Sequence, residues 1–119
     1  MHFSLFTDID GTKLTDEDRR TLLHPAVSGV ILFSRNFHSI SQLKQLIEEI
    51  RSLKDPRLLV SVDQEGGNVQ RFRHSFTKLP SFSKIGDIYQ TDPNLGKRIV
   101  LEHAHIMVKE LRSVGVDLS

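Results

Sequence analysis

Residues 58–62, Leu-Leu-Val-Ser-Val, form a short apolar run that stops abruptly at Asp63-Gln64-Glu65-Gly66-Gly67. Five residues rich in branched side chains suit a strand better than a helix, and a near-continuous apolar run predicts a strand buried on both faces of a parallel sheet. The polar residues then fall at the carboxyl end of that strand, where parallel α/β folds bind their ligands. Asp63 supplies a hydrogen-bonding carboxylate and Arg71 a forked donor, the pair of groups that grips a polyhydroxylated or anionic small molecule. Gly66 and Gly67 permit a positive φ or close approach. In the plainer reading the stretch is an acidic turn whose arginine pairs with Glu65.

The rest of the chain alternates strand and helix signals around this run. Residues 3–9 read as a first strand, and Thr15 with Asp18 has the spacing of a capping box for a short helix ended by His24-Pro25. Residues 29–33 form a second apolar strand before the polar loop Ser34-Arg35-Asn36. Ser39 and Gln42 then open a helix with Leu43, Leu46, Ile47, Ile50 and Leu53 on one face, closed by Asp55-Pro56. Residues 68–90 carry no long periodic pattern and are expected to form a loop with at most a short helical turn. Asp92-Pro93 opens a long helix that Gly115 ends, and residues 116–119 begin another strand. The pattern is βαβαβαβ, one domain over residues 1–119 without repeats or a linker to a second.

Charge and composition exclude several classes. A formal net charge of +1 with interleaved signs leaves no electrostatic footprint for nucleic acid or an anionic membrane. No cysteine is present, so disulfides and thiolate metal sites are excluded and a reducing compartment is the natural setting. No apolar run approaches the ~20 residues of a membrane span, and charges come too early for a signal peptide, which makes the expected location cytoplasmic. His103 and His105 point apart on a helix, and His2, His24, His38 and His74 are scattered, so no metal site is expected; only His74 lies near the proposed site.

Val62-Asp63-Gln64-Glu65-Gly66-Gly67, continued by Val69-Gln70-Arg71-Phe72-Arg73 and Phe76-Thr77-Lys78-Leu79-Pro80, resembles the family 3 glycoside hydrolases, and among them the bacterial β-N-acetylhexosaminidases. Gly29 to Asn36 and Glu110 to Ser119 extend the resemblance over nearly the whole chain. It implies a TIM (β/α)₈ barrel, which takes about 250 residues, so 119 residues correspond to its first third or so, a fragment or a gene shortened relative to its family. It also implies removal of terminal β-linked N-acetylglucosamine from muropeptides, with retention and without a cofactor, during peptidoglycan recycling. Asp63 and Glu65 have the period-two spacing to serve as paired catalytic carboxylates. The resemblance assigns them otherwise. Nucleophile and acid/base lie beyond Ser119, Asp63 and Arg71 match sugar-binding residues, Glu65, Gly66 and Gly67 shape the turn, and Arg35 and Asn36 brace the neighbouring loop. The chain alone is then expected to be catalytically silent.

Two other readings compete. Asp8-Ile9-Asp10-Gly11-Thr12 looks like the DxDGT signature of haloacid-dehalogenase-like phosphatases, in which Asp8 would attack a phosphoryl group and Asp10 would act as acid/base with Mg²⁺. A partial barrel also leaves open strand edges, which recruit other chains and make self-association an expected property of a non-catalytic module.

Overall fold

A computed structural model describes residues 4–119. Strands β1 (Leu5–Thr7), β2 (Val27–Leu32) and β3 (Leu59–Val62) form one parallel sheet in sequential order. Helix α1 (Asp16–Leu22) connects β1 to β2, and α2 (Ile40–Ser52) connects β2 to β3. A small antiparallel pair, β4 (Gln64–Gly66) and β5 (Val69–Gln70), follows β3, and then helices α3 (Phe82–Thr91) and α4 (Pro93–Val114). The chain returns to the sheet beside β3, where Ser61 bridges Leu118 in parallel. Four neighbours laid down in sequence order match a barrel wall, whereas a doubly wound sheet reverses direction at its centre.

Local chemistry places the helix starts where the sequence predicts. The Thr15 hydroxyl accepts the Asp18 N–H at 3.0 Å while the Asp18 carboxylate accepts the Thr15 N–H at 2.9 Å. Ser39 and Gln42 repeat the arrangement on α2. Asp92 accepts the Asn94 and Leu95 N–H groups ahead of Pro93, and Gly115 closes α4 at φ 99°. The α2 face carrying Leu43, Leu46, Ile47 and Ile50 is fully buried in one cluster with Val30, Leu32, Val60 and Val62 of the sheet and Leu111 and Val114 of α4.

Two expectations are corrected. The strand after Pro56 is covered on one face only: Leu59 remains 39% exposed, because among the described residues no element lies across that side of the sheet. The Phe6 ring leans over it, so close to Gly29 that a Cβ there would stand 2.3 Å from the ring. Residues 68–90, expected as a loop, contain β5 and most of α3. Phe82, Ile85 and Ile88 recur at helical spacing and Ser81 caps the helix through the Lys84 N–H, but Gly86 and a span of only ten residues hide the period.

The return of the chain to the sheet is secured by Asp117. Its side chain, 8% exposed, meets Arg51 at 2.9 Å and Arg57 at 3.0 Å and accepts the Val60 N–H at 3.0 Å. Burial pushes this carboxyl up, but the hydrogen bonds from Arg57 and Val60 and the charges of Arg51 and Arg57 outweigh it and hold the group below the usual carboxylate range. A carboxylate depressed in the folded state contributes stability that is complete above its unfolded value of about 3.9 and is lost as pH falls below that toward the folded value. Urea midpoints at pH 7 and pH 3 check this: Asp117→Asn is expected to shrink the acid-induced drop relative to wild type. An identical drop in the two proteins would refute it.

Candidate functional site

Burial alternates without a break from the start of β3 into the turn. Leu58, Val60, Val62, Gln64 and Gly66 are buried, while Leu59, Asp63 and Glu65 are exposed and Ser61 lies between. A period of two fixes the faces, so Asp63 stands on the open side of the sheet at the carboxyl end of β3. The next residues must reverse direction to bring Arg71 back to it. Gly66 (φ 98°) and Gly67 (φ 59°) make that reversal; a Cβ on Gly66 would lie 2.3 Å from the Pro80 carbonyl oxygen. The Gly67 N–H donates to the Leu79 oxygen at 2.8 Å, tying the turn to the segment before α3.

Arg71 arrives with its guanidinium 3.5 Å from the Asp63 carboxylate. It pairs with Asp63 and not with Glu65, which corrects the plainer reading of the turn. Glu65 points to solvent, and the turn takes its shape from the glycines and from the residue between the two acids. Gln64 is 2% exposed: its side-chain oxygen accepts the N–H groups of Arg71 at 2.9 Å and Phe72 at 3.0 Å, and its NH₂ donates to the Phe72 oxygen at 3.0 Å. Gln70, equally buried, donates to Phe72 and Thr77 and accepts from Leu79. Sequence reasoning missed both amides; the alternation begun at Leu58 is the signal that places Gln64 inside.

The loop after β2 stands alongside. Asn36, fully buried, donates to the carbonyls of Ile9 at 3.1 Å and Gly11 at 2.8 Å and accepts the Phe33 N–H at 2.8 Å. It joins the ends of β1 and β2. Arg35 donates to the Ile9 oxygen and pairs with Asp8. Two guanidiniums stand over the Phe33 ring, Arg35 at 4.9 Å and Arg71 at 5.8 Å from its centroid. Asp8, Arg35, Arg71 and Asp63 thus share the carboxyl ends of three neighbouring strands, a rim of alternating charge suited to hydroxyl groups. His74, stacked on Phe37 at 4.5 Å with its Nε2 2.6 Å from the His38 oxygen, is occupied in holding the loop. His103 is buried and His105 exposed, and His2 lies outside the described residues.

Residues 4–119 match the model of the glycosyl hydrolase family 3 N-terminal domain. The β-hexosaminidase of Thioalkalivibrio sulfidiphilus is 50% identical over 112 residues, 94% of this chain and 32% of that protein. The crystal structure of NagZ from Neisseria gonorrhoeae in complex with N-trifluoroacetyl-D-glucosamine superposes with a TM-score of 0.94 at 40% identity, covering 99% of this chain and 35% of that one. A family 3 β-N-acetylglucosaminidase from Paenibacillus superposes at 0.82 with 28% identity over 98% of this chain and 22% of its own. The chain therefore spans about a third of the length of the curated relatives it matches. The family match runs through Asp8-Ile9-Asp10-Gly11-Thr12, which overturns the phosphatase reading: the stretch is the first strand and loop of a barrel, and Asp8 is the ion-pair partner of Arg35. Matched from residue 4 to its last residue and built as the opening of a TIM-like barrel, the chain belongs to glycosyl hydrolase family 3 through its N-terminal domain.

Proposed function

We propose that the gene's full product is a β-N-acetylhexosaminidase that removes terminal β-linked N-acetylglucosamine from muropeptides with retention, and that Asp63 and Arg71 hold hydroxyls of that sugar. One observation carries the reading: the Asp63–Arg71 pair stands at the carboxyl end of β3 in a chain half identical to a β-hexosaminidase. The carboxylate accepts hydrogen bonds from sugar hydroxyls and the guanidinium donates to their lone pairs, so the pair orients the ring and performs no bond cleavage. Nucleophile and acid/base come from the part of a family 3 barrel that follows Ser119 in the resemblance. Cytoplasmic peptidoglycan recycling is the setting that resemblance implies.

A chromogenic N-acetylglucosaminide tests the assignment. The full product is expected to release the chromophore and yield the β-anomer first, and the 119 residues alone to release none. No release by the full product would end the proposal. So would release by the 119 residues that Asp63→Ala abolishes. A second reading draws on the exposure of Phe6, Leu59 and Leu118 (43, 39 and 49%) around an incomplete sheet: the isolated chain associates with itself. Sedimentation at rising concentration checks that, and a monomer throughout would sink it.

A further inference from the structure

The Asp63–Arg71 contact does not hold Arg71 in place by itself. At 3.5 Å it is longer than a good charge-assisted hydrogen bond, and the two side chains are 49% and 31% exposed, so water screens the attraction. The Phe33 ring at 5.8 Å adds only a weak cation–π attraction, and Arg71 Nε has no hydrogen-bond partner among the described residues. What fixes Arg71 is its backbone, and the backbone is held by Gln64.

Resting on the sugar-binding reading above, we propose that Gln64 is a positioning residue for substrate binding: its buried carboxamide sets where the Arg71 guanidinium stands relative to the Asp63 carboxylate. Residue 64 is covalently next to Asp63, and its amide grips the chain at residues 71 and 72 through three hydrogen bonds of 2.9 to 3.0 Å. It pairs with the N–H and carbonyl of Phe72 as a neighbouring strand does, and adds the N–H of Arg71. Both halves of the sugar grip are thereby referenced to one buried side chain that itself never meets the sugar. Gln70 provides the internal control. It is as buried as Gln64 and also bonds Phe72, but its other partners are Thr77 and Leu79, and it makes no bond to Arg71.

Gln64→Glu keeps the volume and the acceptor for Arg71 and Phe72, yet sets a carboxylate oxygen against the Phe72 carbonyl in place of a donor. In the full product the expected result is a rise in KM of about tenfold with kcat within about twofold, the signature of lost uniform binding. Gln70→Glu is expected to lower the melting temperature and leave KM unchanged. In an Arg71→Ala background Gln64→Glu should add less than about twofold to KM, because the residue it acts through is gone. An unchanged KM in folded Gln64→Glu, an equal KM effect from Gln70→Glu, or full additivity with Arg71→Ala would each overturn the proposal. If Gln64→Glu does not fold, Gln64→Asn, which shortens the reach by one methylene, takes its place. If the wild-type product hydrolyses nothing, the sugar-binding reading fails, and the positioning claim is judged on ¹⁵N relaxation of the Arg71 side chain. There, order lost in Gln64→Glu and kept in Gln70→Glu supports it, and equal order in both refutes it.

Discussion

Asp63→Ala in the full gene product is expected to lower kcat/KM for an aryl β-N-acetylglucosaminide by roughly 10- to 150-fold while leaving the melting temperature nearly unchanged. The magnitude follows from what is removed. A hydrogen bond to a charged group is worth about 1.5 to 3 kcal/mol, and each 1.4 kcal/mol is about a factor of ten. A second hydroxyl bound to the other oxygen would deepen the loss. The stability term is small because the Asp63 side chain is 49% exposed and its ion-pair partner Arg71 sits 3.5 Å away. Asp63→Asn keeps the shape and one acceptor and should fall between wild type and Ala. Activity within about twofold of wild type in the Ala variant would remove Asp63 from the binding set.

Much of this was legible in the sequence because the decisive chemistry is local. Thr15 with Asp18, Ser39 with Gln42, and Asp92 before Pro93 each satisfy the first N–H groups of their own helix, so three starts could be read within four residues. The α2 stripe announced which face meets the sheet, and Asp63 followed from the place where the apolar run ends. What escaped has a different physical origin. The β4–β5 pair is held by two strand residues on one side and by buried glutamine side chains, and an amide that replaces a strand neighbour looks in sequence like any polar loop residue. Helix α3 is stabilised by packing on α4, with His103 of α4 beside the Phe82 ring and within 3.2 Å of the Pro80 oxygen, and such long-range support leaves no trace in a ten-residue window. The sequence suggested a strand buried on both faces because Leu59 is as apolar as Leu58; the alternation puts them on opposite faces, and among the described residues nothing covers the face of Leu59.

The largest loss of stability is expected from Phe72→Ala. Phe72 is completely buried and packs against Phe37 and Phe76, with ring centroids 5.1 and 5.5 Å away. Phe37 and Phe76 also meet each other edge to face at 5.5 Å, so the three rings form one closed cluster beneath the turn that carries Arg71. Truncating a buried Phe to Ala costs about 3 to 5 kcal/mol, through lost transfer free energy and the cavity left behind. The upper part of that range is expected here, because Gln64 and Gln70 bind the Phe72 backbone and keep the loop from collapsing into the void. Against a typical domain stability of about 5 to 15 kcal/mol this is roughly a quarter of the total or more. Urea unfolding should show a lowered midpoint with an unchanged slope, the sign that stability and not compactness has changed. Phe82→Ala is the matched control: the same atoms removed from a side chain 47% exposed should cost well under half as much. Equal losses in the two variants would mean that the aromatic cluster does not anchor the loop.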